Sequence, residues 1–290
     1  MFKNTSAYPT ALPPQCRIGP AGFPLRGPHG TDAMPYLRKI GLDAMEYQAV
    51  RSLRISRKPA VQLGTAASEN SVLLTLHGPY AINLSSGKKL VRRQSIQRLV
   101  KAAEIASWMG AFHVTFHPGY YSGLPRELAM QAQKEAFRNV LEKIGGKGIS
   151  VELGPETTGK PDQFGTLDEL IELSTSFENV RLTLDFAHVH ARTGGAIKGR
   201  GDYEKILDAV EKSLGSEGMR NLVVHFSEVE TTSKGVGEKR HHPLGSGYGP
   251  DFRKLAEIIV EKGYSFIIIC ESPLLEVDAL KMKRLLTRFK

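Results

Sequence analysis

The chain has 290 residues, a length that fits one large α/β barrel or two smaller domains. Lysine and arginine number 39 against 30 aspartate and glutamate, a formal net charge of +9 that suits a polyanionic partner such as nucleic acid as well as it suits an ordinary basic surface. A hydrophobic content of 41% excludes a disordered chain, two cysteines exclude a disulfide framework, and no run of about 18 apolar residues offers a membrane span.

Residues 1–14 carry three prolines and no basic start followed by an apolar stretch, so they read as an extended N-terminal segment rather than a leader. With the sparse cysteines, this fits a cytoplasmic protein. Short β-branched or aliphatic runs then recur near 16–19, 43–47, 72–77, 113–117, 150–153, 181–185, 222–225 and 266–270. Between them lie apolar residues at helical spacing, such as Leu99, Ala102, Ala103, Ile105 and Ala106, or Leu255, Ile258 and Ile259. Eight strands alternating with helices predict a closed parallel (β/α)8 TIM barrel spanning the whole chain as one domain. The stretch 228–249, rich in Gly, Lys and His, is a long connection of the kind that is more often functional than idle.

The strand ends carry the chemistry. His77 ends the third run, His117 the fourth and Asp185 the sixth, while Glu156 follows the fifth, His225 ends the seventh and Glu271 follows the eighth. In a closed parallel barrel these ends converge on one face, where barrel active sites lie. Three histidines with three carboxylates form a mixed nitrogen and oxygen set suited to zinc or manganese, and too large for one tetrahedral ion. A carboxylate can bridge two ions, so the set reads as multinuclear. His188, three residues after Asp185, reaches the same site if one helical turn begins there. Glu152, four residues before Glu156, is the competing carboxylate of the fifth unit. His190 reads as a flanking or solvated residue, His113 as packing, and His29 as part of a surface loop.

Several segments, in order, carry a family resemblance: His77-Gly-Pro-Tyr80 with Asn83-Leu-Ser, Phe116-His-Pro-Gly119, Pro155-Glu-Thr-Thr-Gly159, Leu184-Asp-Phe-Ala-His188, Val224-His225, His241-His-Pro-Leu-Gly245 and Cys270-Glu-Ser-Pro273. Together they resemble the endonuclease IV family of abasic-site nucleases. The resemblance implies a zinc-dependent hydrolase of DNA repair that cuts duplex DNA on the 5′ side of an abasic nucleotide; apart from the resemblance, a monomer without a membrane partner is expected. The resemblance implies that His77, His117 and Glu156 hold one ion, that Glu156 bridges to a second held by Asp185, His225 and Glu271, and that His188 and His241 hold a third. Glu156 and Glu271 would be the catalytic carboxylates, a bridged metal pair activating water while the third ion neutralises phosphate charge. Tyr80 would enter the duplex near the lesion, with Lys88, Lys89 and Arg240 as further DNA contacts, and Gln48 or Arg51 would fill the space beside a flipped nucleotide.

One position departs from the pattern. Where the family has an aspartate two residues before the loop histidine, this chain has Lys239, whose ammonium cannot ligate a cation. Two zinc ions are therefore expected and a third is not, unless the adjacent Glu238 substitutes. The rival expectation is a metal-dependent sugar isomerase or epimerase on the same barrel, a class in which carboxylates dominate the metal site. The +9 charge, the histidine-rich segments and Tyr80 argue for the nuclease.

Overall fold

The computed structural model describes residues 16–289, and the extended segment expected over residues 1–14 lies outside them. The strands in chain order are β1 (Arg17–Pro20), β2 (Ala44–Gln48), β3 (Leu73–His77), β4 (His113–Phe116), β5 (Glu152–Pro155), β6 (Leu184–Asp185), β7 (Val223–Phe226), β8 (Glu228–Thr231), β9 (Glu238–His242) and β10 (Ile267–Cys270). The helices are α1 (Ala33–Lys39), α2 (Arg57–Glu69), α3 (Lys89–Trp108), α4 (Arg126–Gly145), α5 (Leu167–Ser176), α6 (Phe186–Arg192), α7 (Arg200–Met219), α8 (Phe252–Lys262) and α9 (Glu276–Phe289).

Parallel pairing runs β2-β3-β4-β5 and β6-β7-β10-β1. Two seams join these halves into a ring. At one, the amides of Arg181 and Thr183 donate to the carbonyls of Leu153 (3.0 Å) and Pro155 (2.9 Å), and at the other Asp43 N–H donates to Ile18 O (3.1 Å). The amide of Ile18 returns a bond to Asp43 Oδ1 at 2.8 Å. The protein is thus an α/β barrel of eight parallel strands, as the alternation of patterns predicts.

Helices form where local signals and the buried stripe agree. In α8, Asp251 caps the first turn by accepting from Arg253 N–H, and Gly263 closes the helix at a left-handed φ of 68°. Its buried face is Phe252, Leu255, Ala256, Ile258 and Ile259, an apolar stripe at helical spacing. The fifth strand lies two residues later than expected, because Glu152, Gly154 and Pro155 are poor strand formers and mask its true extent. An antiparallel ribbon, β8 with β9, lies within the stretch read from sequence as a long connecting loop.

The barrel interior is unusual above its apolar floor. Ala44, Val223 and Ile267, the first residues of their strands, pack together at the base, with Ile269 above them in register with His225. Above them the axis is filled by buried polar groups, Glu46, Thr75, His113, Thr115 and Thr183, where such barrels ordinarily place branched aliphatics. They satisfy one another: His113 Nε2 bonds Thr183 Oγ1 at 2.8 Å, and His113 Nδ1 meets Glu152 Oε2 at 2.8 Å. Gly154 makes this possible, since a Cβ there would collide with His113 Nε2. Buried carboxylates also pin the loops at the barrel mouth. Glu276 accepts from the amides of Leu25 (2.8 Å) and Arg26 (2.9 Å), and Glu228 from that of Tyr248 (3.0 Å).

Candidate metal centre

His77 is the last residue of β3, His117 and Glu156 follow β4 and β5, Asp185 ends β6, His225 lies in β7 and Glu271 follows β10. Strand alternation turns all of these side chains toward the axis at the C-terminal mouth. Asp185 also caps α6: its Oδ1 accepts from His188 N–H at 2.7 Å. That cap fixes the first helical turn and carries the His188 ring over the same mouth.

Three groups of ligand-type atoms result, each with its atoms within 4.8 Å of one another: His77, His117 and Glu156; Glu156, Asp185, His225 and Glu271; and His188, Glu238 and His241. Glu156 belongs to two of them. Its Oε2 lies 2.9 Å from His117 Nε2 and 3.3 Å from His77 Nε2, and its Oε1 lies 3.0 Å from His225 Nδ1.

Four of the histidines are oriented from behind. His77 Nδ1 donates to Gly78 O (2.8 Å), His188 Nδ1 to Thr157 O (2.8 Å), and His241 Nδ1 pairs with Ser227 Oγ (2.7 Å). His225 Nε2 meets Glu46 Oε2 at 3.2 Å. In each case the opposite ring nitrogen points into the cluster, which is how ligating imidazoles are held in one tautomer. Sequence reasoning missed Glu46, and the one signal for it was a carboxylate inside an otherwise apolar strand pattern.

Burial and neighbouring charges oppose one another across the cluster. Burial works against a charged ring, yet the hydrogen bond and charge of Glu156 push His77 up to about 9. Burial raises Asp185 to about 6 despite the pull of His188. Glu271 drops to about 2, His225 outweighing the cost of its burial. Asp185 Oδ2 is buried and accepts no hydrogen bond among the described residues, a state that a coordinating cation relieves. Imidazoles and carboxylates in this number fit zinc or manganese.

The third group depends on an irregularity in the ribbon. Thr231 pairs with Glu238 but Glu230 pairs with Arg240, so Lys239 is an extra residue in β9. This bulge brings Glu238 and His241 to one face. Glu238 Oε2 lies 3.4 Å from His188 Nε2 and its Oε1 3.3 Å from His241 Nε2. Lys239 and Arg240 instead both pair with Glu230, Arg240 Nε at 2.9 Å. The carboxylate absent from position 239 is supplied by position 238.

A cavity of about 350 Å³ opens over these groups, and Tyr80, Tyr120, Lys160 and Gln163 form part of its wall. Tyr80 is 59% exposed, its ring 5.6 Å from that of His77 and 5.5 Å from that of His117. Lys88, Lys89 and Arg240 are exposed and lie outside the cavity wall. Arg51 is exposed, whereas Gln48 turns inward and donates to Glu46 Oε1 at 2.9 Å. Glu152 sits lower in the barrel, bonded to His113 and 3.2 Å from Arg181 Nε. His190 is buried outside all three groups, and His29 is exposed and stacked on Phe23.

Residues 34–286 match the sequence model of a family described as xylose isomerase-like TIM barrel. An uncharacterized protein of Methanocaldococcus jannaschii is 33% identical over 267 residues, 92% of this chain and 95% of that protein. The probable endonuclease 4 of Petrotoga mobilis is 23% identical over 185 residues, a match that spans 60% of the length of each chain. Among solved structures, endonuclease IV from Thermus thermophilus superposes with a TM-score of 0.69 at 22% identity, covering 93% of this chain and 98% of that one. A D-tagatose 3-epimerase-like protein superposes at 0.66 and 22% identity, covering 89% and 92%. At these identities the superpositions establish a common fold.

Proposed function

We propose, from the premise that this chain belongs to the xylose isomerase-like TIM barrel family, that it is a metal-dependent endonuclease that hydrolyses the phosphodiester 5′ to an abasic site in duplex DNA. The observation that carries this reading is the set of three adjoining ligand groups, two of them sharing Glu156 and the histidine-rich third beside that pair. A phosphodiester carries one negative charge over two non-bridging oxygens and gains more as attack proceeds and the leaving oxygen departs, and a site with room for three cations matches that charge better than it matches a neutral sugar.

In this reading His77, His117 and Glu156 hold one ion, Asp185, His225 and Glu271 with Glu156 a second, and His188, Glu238 and His241 a third. When bound, such ions supply Lewis acidity to a phosphoryl oxygen and lower the pKa of water for attack. The protein's own groups do the rest. Glu156 fixes the spacing of the first two groups, Gly78 O and Thr157 O hold His77 and His188 in the ligating tautomer, and Ser227 Oγ orients His241. Tyr80, exposed above His77 and His117, offers an aromatic face to an unstacked position in the duplex. The chain's net charge of +9 favours association with a polyanion.

The second reading is a sugar isomerase or epimerase. Its support is specific: Glu156, Asp185, His225 and Glu271 alone make a complete one-ion site dominated by carboxylates. The test is incision of a labelled duplex carrying one abasic site, by metal-stripped protein with and without zinc or manganese. Metal-dependent cutting on the 5′ side is the expected result. Folded, metal-binding protein that cuts nothing and interconverts ketoses would transfer the assignment to the second reading.

A further inference from the structure

The partner behind His225 differs in kind from those behind His77, His188 and His241. Those three rings hydrogen-bond neutral oxygens, with carboxylates no nearer than 3.5 Å to the same nitrogens of His188 and His241, whereas His225 Nε2 meets a carboxylate, Glu46 Oε2, at 3.2 Å. Glu46 comes from the middle of β2, is fully buried, and belongs to none of the three ligand groups. A carboxylate at that depth is costly unless every lone pair finds a donor. Gln48 Nε2 donates to Oε1 at 2.9 Å, and Thr75 Oγ1, on the residue paired with Glu46 across β2 and β3, donates to Oε2 at 3.1 Å. With its orientation set by those two bonds, Glu46 has an oxygen aimed at the far nitrogen of His225. The near nitrogen, Nδ1, lies 3.0 Å from Glu156 Oε1 and 3.2 Å from Glu271 Oε1.

We infer that Glu46 is a positioning residue for the central ion: through His225 it forms a carboxylate–imidazole pair that keeps Nε2 protonated, aims Nδ1 at the Glu156, Asp185 and Glu271 group, and strengthens that nitrogen as a donor. The inference rests on the metal-centre reading above and adds to it a control on affinity from a residue that touches no ion. Outer carboxylates of this kind change metal affinity by roughly 10–100-fold when removed. Thr75 and Gln48 belong to the same device, because they decide which way the Glu46 oxygens face.

The experiment titrates metal-stripped full-length protein with zinc against a competing chelator, for the wild type, Glu46→Gln and Thr75→Val. Proton and nitrogen NMR of 15N-histidine-labelled zinc-loaded protein follows the Nε2–H signal of His225. Glu46→Gln is expected to weaken one ion by roughly 10–100-fold while the others are retained, and to move the His225 Nε2–H resonance upfield. Thr75→Val is expected to do the same to a smaller degree, and decides the matter should Glu46→Gln not fold. A purely structural role would lower all affinities together and leave the resonance in place. Wild-type protein that binds zinc beside variants with unchanged affinity and unchanged resonance overturns this inference alone. Wild-type protein that binds no zinc overturns the metal-centre reading, and the inference with it.

Discussion

Glu238 and His241 meet at 3.3 Å on one face of the ribbon although three positions separate them. In a regular strand that spacing sends two side chains to opposite faces, and the extra residue at Lys239 is what reverses the second of them. The lysine that argues against a third ion in the linear sequence is therefore the residue whose insertion brings Glu238 beside His188 and His241. Removing the Glu238 carboxylate should lower zinc per chain by one ion, whereas Lys239→Ala should leave the count unchanged. Elemental analysis after dialysis distinguishes the two. Equal counts in wild type and Glu238→Ala would remove Glu238 from the centre.

Glu271 lies against His225 in the central group and is ionised at neutral pH, held near pKa 2. Glu271→Gln keeps its volume and removes its charge. Incision of an abasic duplex should fall on the order of 100-fold or more, the scale of losing one stabilising group at a reacting charge. Duplex binding, followed by fluorescence anisotropy, should remain within about two-fold, because phosphate contacts outside the centre carry non-specific affinity.

The metal-free protein should lose stability as the pH is raised from neutrality. The folded pKa of His77 is about 9 against an ordinary 6.5, with Glu156 overcoming the cost of burial. A raised folded pKa gives stability that is fully present below 6.5 and is lost as pH rises through about 9. Urea midpoints of metal-stripped protein should therefore fall across this window, and His77→Gln should flatten the fall. With zinc bound the slope should weaken or reverse, since ligating imidazoles must shed their protons. A midpoint of metal-stripped wild type that is flat or rising from pH 6.5 to 9 would contradict this account.

Tyr80→Ala should weaken binding to an abasic duplex by about 1–3 kcal/mol, the usual worth of one aromatic stacked on nucleic acid. Its ring is exposed and rests beside His77 and His117 without belonging to any ligand group. Zinc content should not change. Lost zinc with unaltered affinity for the duplex would mean that the ring shields the centre rather than reads the lesion.

Gly154→Ala tests the polar axis of the barrel. The added methyl would collide with His113 Nε2 and lie 2.7 Å from Thr183 Oγ1, so the His113 ring must leave its two hydrogen bonds. Overpacking costs about 1–3 kcal/mol, and an orphaned buried donor adds to it. The urea midpoint should drop accordingly. A wild-type midpoint would show that the ring has another place to go.

What the sequence by itself determined is local in origin. Short β-branched or aliphatic runs alternating with helical stripes place eight strands and their crossovers, and the residues at strand ends follow directly, so His77, His117, Glu156, Asp185, His225 and Glu271 can be assembled at one mouth from the linear chain. His188 is legible too, because an i,i+3 step after a capping aspartate is a single helical turn. Glu46, Glu238 and the polar axis were decided by tertiary structure. A carboxylate in mid-strand reads alike whether it faces the axis or the helices, and its partners, His225 and Thr75, come from strands 179 and 29 residues away. The face that Glu238 presents depends on a bulge, and the ribbon that contains it is too charged, Glu-Lys-Arg-His-His, to announce a strand. Spacing along the chain fixes which residues can reach the mouth. Register between strands, set by packing and hydrogen bonds across the whole barrel, fixes which of them meet.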